Sequence, residues 1–322
     1  MPRVRGWVLK QCRILVLLVV CVICALYFSY SRLSDINSYY EDDDDQLGAK
    51  QRSTLSAQNT YIIPTFRRAQ RNETLPYQRI PRVVYQTGYS QHVIERVYNN
   101  TITAHANNPE YDFRYYDNRA VKHFLRRHFG GEVYQAFRTL QMGAARADLW
   151  RYCVLYKRGG VYIDLDAGIY GPLKHKQLTA QTDALLGYDI MGNLINWFMM
   201  FTPHHPFLYY VIQLCTRRIL AHEKSVFTAT GPTLLTDAYL LYYHMARNVQ
   251  EARQLTPDQK KVLFGQQIPL MVVPETTLNE IGLQFKYHNF EEHDLYATQG
   301  LKHYAVLGGE LKITPDLYKK TD

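Results

Sequence analysis

Gly159-Gly160 divides a helical pattern from an apolar strand, and this break constrains the fold more than any other feature of the chain. Before it, residues 144–158 read AARADLWRYCVLYKR, with Leu149, Cys153 and Tyr156 on one side at helical spacing and Lys157 and Arg158 in the last turn. After it, Val161, Tyr162 and Ile163 read as a buried strand leading into Asp164-Leu165-Asp166. The same alternation recurs upstream. Ile80, Val83, Val84 and Tyr85 form a short apolar strand ended by Gly88. A strand is expected over 110–117, and helices over 118–129 and 132–140. Strands alternating with helices predict an α/β fold with a mostly parallel central sheet flanked by helices.

Composition excludes several classes. An apolar fraction of 47% argues against wholesale disorder. The net charge of +8 is spread without the Lys/Arg runs of a nucleic-acid arm, so no nucleic-acid partner is expected. Of the cysteines, Cys12, Cys21 and Cys24 lie in or beside an N-terminal apolar segment, and Cys153 and Cys215 remain for the body. Neither has metal-ligand spacing, which excludes a zinc site, and two buried thiols are favoured over a disulfide.

Residues 14–28, ILVLLVVCVICALYF, are an unbroken apolar run with basic residues before it and EDDDD at 41–45 after it. A helix of about 17 residues just spans a thin bilayer. The charge asymmetry orients the N-terminus to the cytosol. The expected organisation is a cytosolic tail (1–13), a transmembrane signal anchor (14–30), a polar stem (31–76) and a lumenal catalytic domain (77–322). That arrangement suits a single-pass type II protein of the Golgi or endoplasmic reticulum membrane. The sequons at Asn72 and Asn99 are compatible with it.

Asp148 and Arg151, at i and i+3, share a helix face, and alone they read as a solvated ion pair. Asp164 and Asp166 change that reading. If the strand continues through them, both carboxyls share one face at the end of an apolar strand. Two like charges there repel each other and call for a cation. Hard oxygen ligands suit Mn²⁺ or Mg²⁺, with water and phosphate oxygens completing the shell. Calcium would need more oxygen ligands than this stretch offers.

The block RADLWRYCVLYKRGGVYIDLD resembles the DXD region of glycosyltransferase family 32. IPRVVYQTG resembles that family's opening strand, with Gly88 where a Trp is usual, and NPEYDFRYYD its second strand. NWFMMFTPHHPFL and TGPTLLTDAY resemble its Asn-containing strand and its Thr-Gly-Pro turn, so the likeness covers residues 79 to about 240.

The resemblance implies a GT-A (nucleotide-diphospho-sugar transferase) fold and a retaining, metal-dependent transfer from a nucleotide sugar to a glycan or glycolipid. It implies that Asp166 binds the metal, and that Asp164 contacts the donor or reaches the metal through water. It places Asp148 and Arg151 on the donor sugar, Tyr85, Gln86 and Thr87 beside the base and ribose, and Asn196 in the pocket. His303 stands in a departed C-terminal motif as a further metal or diphosphate ligand. Mannose from GDP-mannose is the leading donor. The alternatives are a UDP-sugar-dependent galactosyl, glucosyl or N-acetylglucosaminyl transferase, and a non-catalytic carbohydrate-binding protein of the same fold.

Overall fold

The computed structural model describes residues 60–70, 77–173, 181–264, 270–280, 282–285 and 311. The apolar segment 14–30, most of the stem and His303 lie outside the described residues. Among the described residues no helix is long and apolar enough to cross a membrane.

In chain order the elements begin with β1 (Thr60–Ile62), β2 (Phe66–Arg67), β3 (Val83–Thr87) and β4 (His92–Ile94). Next come α1 (Glu95–Asn107), β5 (Asp112–Tyr116), α2 (Asn118–His128), α3 (Gly131–Thr139) and α4 (Gly143–Arg158). β6 (Gly160–Ile163), β7 (Ala167–Ile169), β8 (Ala184–Tyr188) and β9 (Leu194–Phe201) follow. The remainder is α5 (Pro206–Leu220), α6 (Val226–Ala229), α7 (Pro232–Tyr242), α8 (Val249–Gln254), α9 (Pro257–Phe264), β10 (Leu270–Pro274), α10 (Glu275–Glu280) and β11 (Leu283–Phe285).

Seven strands form the central sheet in the order β10-β8-β9-β6-β3-β5-β2. β10 is parallel to β8, and β6, β3 and β5 are mutually parallel. β9 runs antiparallel to both β8 and β6, and β2 is antiparallel to β5. Five strands therefore point one way and two oppose them, which makes the sheet mixed but mostly parallel. Ligands of open α/β sheets bind beyond the carboxyl ends of the strands, and for β6 that end is Asp164.

The pleat sorts side chains onto two cores. Tyr85, Tyr162 and Met199 join the helical layer with Leu149, Trp150, Val154 and Ile212. Val84, Val161, Ile163, Phe198 and Met200 face the other way, towards Ala104, Ile169 and Leu173. Gly159 and Gly160 make the helix-to-strand turn possible. Both have positive φ, +63° and +105°, and a Cβ on either would meet backbone atoms of Pro203 or Val83 at 2.6 Å.

Two expectations are corrected. Residues 60–67 were assigned to the stem, but β2 joins the sheet edge against β5 and β1 pairs with β4. Ile63 supplies the reason, since it is buried with Val93, Val97 and Tyr115. The folded unit therefore includes residues 60–67. The strand also does not continue through the two aspartates. β6 ends at Ile163, and the Ala167 N–H donates to the Asp164 carbonyl at 3.1 Å, so Asp164–Asp166 form a turn. Cys153 and Cys215 are buried free thiols, as the composition suggested.

Candidate active site

α4 is buried almost all round over its central turns, so its polar residues must find partners inside the protein. Arg151 is the hub. Its side chain is 5% exposed, against 7% for Asp148 and 24% for Asp164, so the pair is not solvated and the cluster opens at Asp164. Arg151 Nη2 lies 3.2 Å from Asp148 Oδ1 and 3.0 Å from Asp164 Oδ1. Nη1 donates to the Asn196 carbonyl at 2.6 Å and to Asp164 Oδ2 at 3.3 Å. The guanidinium also stands over the Tyr162 ring, 4.4 Å from its centroid. The Tyr162 hydroxyl donates to Asp164 Oδ1 at 2.5 Å.

Asp148 is held from two further elements. Asn196 Nδ2, on β9, donates to Oδ1 at 2.9 Å, and the Thr230 hydroxyl donates to Oδ2 at 2.8 Å. Tyr152 fixes Thr230 in turn, donating from its hydroxyl to the Thr230 carbonyl at 2.8 Å. Burial pushes the Asp148 carboxyl up, while Arg151, Thr230 and Asn196 oppose that by favouring the ionised form. Burial likewise works against the Arg151 charge, but Asp164, Tyr162 and Asp148 outweigh it, and Arg151 stays a cation.

Asp166 differs from both. Among the described residues no side chain donates to it. Burial and then the Asp164 charge push its pKa up to about 7, against weaker help from its own backbone N–H and from Arg151. Three carboxyls thus lie near one guanidinium, but only Asp148 and Asp164 touch it, which leaves Asp166 the least neutralised. The carboxyl chemistry is that of a hard divalent cation's ligands, and Asp166 is the carboxyl of the set with no side-chain donor among the described residues to compete for it. Asp164 is committed to Arg151 and Tyr162, which suits it to an outer role. Among the described residues no third His, Cys, Asp or Glu completes a cluster, so water and phosphate oxygens would supply the other ligands.

The other expected site residues divide. Asn196 joins the cluster. Thr87, at the end of β3, donates from Oγ1 to the Tyr116 carbonyl at 2.7 Å, and Gln86 is buried beside it. Gly88 then abuts the carboxylate turn, because a Cβ there would lie 2.3 Å from the Tyr115 hydroxyl and 3.3 Å from Leu165 Cδ2. A Trp at this position would not fit. Tyr85 is not brought to the cluster. Its ring lies in the helical core and its hydroxyl meets Arg158, at the far end of α4, with burial raising its pKa to about 12. His303 lies outside the described residues. Tyr162 and Tyr152 carried no role in the sequence reading. Tyr162, two residues before Asp164, was legible by strand alternation, whereas Tyr152 leaves no such trace.

Residues 91–185 match the family model of the glycosyltransferase sugar-binding region containing DXD motif. Inositol phosphoceramide mannosyltransferase 1 of Schizosaccharomyces pombe is 28% identical over 172 residues, covering 51% of this chain and 53% of that protein. The initiation-specific alpha-1,6-mannosyltransferase of the same yeast is 24% identical over 240 residues, covering 64% of this chain and 59% of that protein. The chain thus spans between half and three-fifths of these relatives' length. Among solved structures, the PaToxG glycosyltransferase aligns at a TM-score of 0.43 and 14% identity, over 67% of this chain and 90% of that one. The resemblance to the DXD glycosyltransferases read from the sequence holds, and the matched stretch contains Asp148, Arg151, Asp164 and Asp166.

Proposed function

We propose that this DXD glycosyltransferase region is the centre of a retaining, metal-dependent hexosyltransferase of GT-A type. It moves a sugar from a nucleotide sugar, with mannose from GDP-mannose as the leading donor, to a glycan or glycolipid. The observation that carries the reading is the arrangement of three carboxyls around one buried guanidinium at the carboxyl end of β6, with Asp166 left to a cation. The names of the yeast relatives support mannose and a sphingolipid or glycan acceptor. The apolar run at 14–28 supports a Golgi-type membrane anchor.

When bound, Mn²⁺ or Mg²⁺ stabilises the charge that develops on the departing diphosphate. The chain's own groups do the rest. Asp148 and Arg151, buried and locked by Asn196, Thr230 and Tyr162, form a rigid polar base behind Asp164, which stands at the open side of the cluster towards the donor sugar. Asp164 adds an acceptor for a donor hydroxyl. In the transfer, the acceptor oxygen bonds to the anomeric carbon while the bond from that carbon to the phosphate oxygen breaks. The acceptor's proton passes to the departing diphosphate on the same face. No carboxylate in the cluster is asked to be a nucleophile.

The test is a panel of nucleotide sugars incubated with the full-length chain, with Mn²⁺ and with chelator. Mn²⁺-dependent release of nucleoside diphosphate, largest from GDP-mannose, is expected. Binding of sugars without release from any donor would replace the enzyme with a carbohydrate-binding protein.

A further inference from the structure

α1 meets the segment that follows the carboxylate turn with three asparagines. Asn100 Nδ2 donates to the Ala167 carbonyl at 2.9 Å and approaches the Leu165 carbonyl at 3.5 Å. Asn107 Nδ2 donates to the Ile169 carbonyl at 3.3 Å. Asn108 Nδ2 donates to the Gly171 carbonyl at 3.2 Å, and its Oδ1 accepts from the Leu173 N–H at 2.6 Å.

Residues 167, 169, 171 and 173 alternate, so they present one edge of an extended chain. The other edge belongs to β11, which pairs antiparallel with β7, and the Tyr170 N–H continues that pairing to the Gly282 carbonyl at 2.7 Å. β7 lies outside the seven-stranded sheet, and among the described residues its second edge has no strand beside it. Buried carbonyls must be paired. The asparagine amides pair them, doing for this edge what a neighbouring strand does elsewhere. Asn100 and Asn107, at i and i+7, share a face of α1, and Asn108 caps the helix directly after them, which is why one helix and its C-terminal end can offer all three.

Asn100 is the member nearest the chemistry, since the two carbonyls it faces flank Asp166. Its own Oδ1 is buried with no hydrogen-bond partner among the described residues. An orphaned buried oxygen is costly, and a smaller apolar residue would avoid it, so the amide's donors are what the site retains. We propose that this asparagine ladder positions the metal-binding turn, and that Asn100 fixes where the Asp166 carboxylate stands. Asn100 is a positioning residue. This inference rests on the glycosyltransferase reading above.

The experiment uses the full-length chain and the variants Asn100→Ala, Asn100→Asp and Asn107→Ala. All preserve the Asn99 sequon, whose Asn99 is exposed on α1. Amide hydrogen exchange over residues 164–173 is measured in the metal-free proteins, and Mn²⁺ alone is titrated by calorimetry. Both Asn100 variants are expected to exchange faster at 165–169, with the rest of the sheet unchanged, and Asn100→Ala to bind Mn²⁺ about 10-fold more weakly. Saturating Mn²⁺ should then restore turnover without changing the KM for donor. Asn107→Ala should loosen 169–171 and leave the Mn²⁺ midpoint in place. An Asn100→Ala protein with wild-type exchange at 165–169, or with faster exchange and an unmoved Mn²⁺ midpoint, would overturn the proposal. If Asn100→Ala does not fold, Asn100→Asp, of the same size with the two N–H donors replaced by a second carboxyl oxygen, decides on the exchange rates at 165–169, because its added charge acts on Mn²⁺ in its own right. If the wild-type chain neither binds Mn²⁺ nor transfers sugar, the enzymatic reading fails, and the exchange data alone then decide the ladder.

Discussion

The protein contains two buried acid–arginine clusters built from the same parts in opposite proportion. Around Asp237, on α7, two arginines meet one carboxylate. Arg218 Nη2 lies 2.9 Å away, Arg253 Nη2 3.2 Å, and Arg218 Nη1 also donates to the Thr228 carbonyl at 2.6 Å. That cluster ties α5, α6, α7 and α8 together. Around Arg151 the ratio is inverted, with Asp148, Asp164 and Asp166 against one guanidinium. The first cluster leaves its surplus positive charge to solvent through Arg253, whose side chain is 41% exposed. The second keeps surplus negative charge at the end of a strand, where a cationic ligand can reach it. Excess negative charge at the end of a central strand distinguishes a binding site from a brace, even when the bond lengths are alike.

The largest expected effect separates the two directly. Asp166→Ala should lower transfer by about 10³-fold, the scale of losing charge stabilisation at the leaving group. Its melting temperature should stay within a few degrees of wild type, because no described side chain loses a partner. Wild-type turnover in this variant would remove the cation from the reaction. Asp237→Ala should do the reverse. The Arg218 guanidinium, 10% exposed, loses its counter-ion while Arg253, 41% exposed, turns to solvent, and stability should fall by about 3 kcal/mol in urea unfolding, while turnover per folded molecule holds. Equal losses of activity in both variants would dissolve the contrast.

Arg151→Lys tests the hub with its charge retained. An ammonium cannot bridge two carboxyls and the Asn196 carbonyl in a plane. Turnover should drop about 10²-fold, and stability by about 1–3 kcal/mol as buried hydrogen bonds are lost. A lysine variant of wild-type activity would show that charge alone suffices.

The smallest effect sets the background for both clusters. His105 and His205 belong to neither, and burial lowers the pKa of each to about 4. Between about pH 6.5 and 4 the unfolded chain binds protons that the folded protein refuses, so stability rises with pH across that window and is lost as pH falls through it. Each histidine should remove about 1–2 kcal/mol between pH 7 and pH 5. Urea midpoints at the two pH values measure this. His205→Asn, which keeps the cap on the Phe207 N–H that His205 Nδ1 now accepts, should flatten its share.

Much of this was legible in the sequence because it is local. Gly159-Gly160, the helix before it, the apolar strand after it and the Asp164/Asp166 pair all lie within a few residues of one another. The burial of Asp148 was not legible, since it depends on Asn196 and Thr230, 48 and 82 residues away. Tyr85 stands apart from the carboxylate cluster, because strand alternation says which face a ring takes but not which end of the sheet it leans towards. The asparagines of α1 read as ordinary polar residues, and only the backbone edge they cover, more than 60 residues downstream, gives them a purpose. Residues 60–67 look like linker because β2 is only two residues long.

The two unbridged thiols described above also make a built-in clock. Cys153 and Cys215 are both fully enclosed, and burial drives each thiol far above the range in which a thiolate forms. A reductant should therefore leave the catalytic unit untouched, and an alkylating reagent should capture these two sulfurs only when α4 and α5 part. The rate of that capture would report how often the helical layer opens, without any label being introduced.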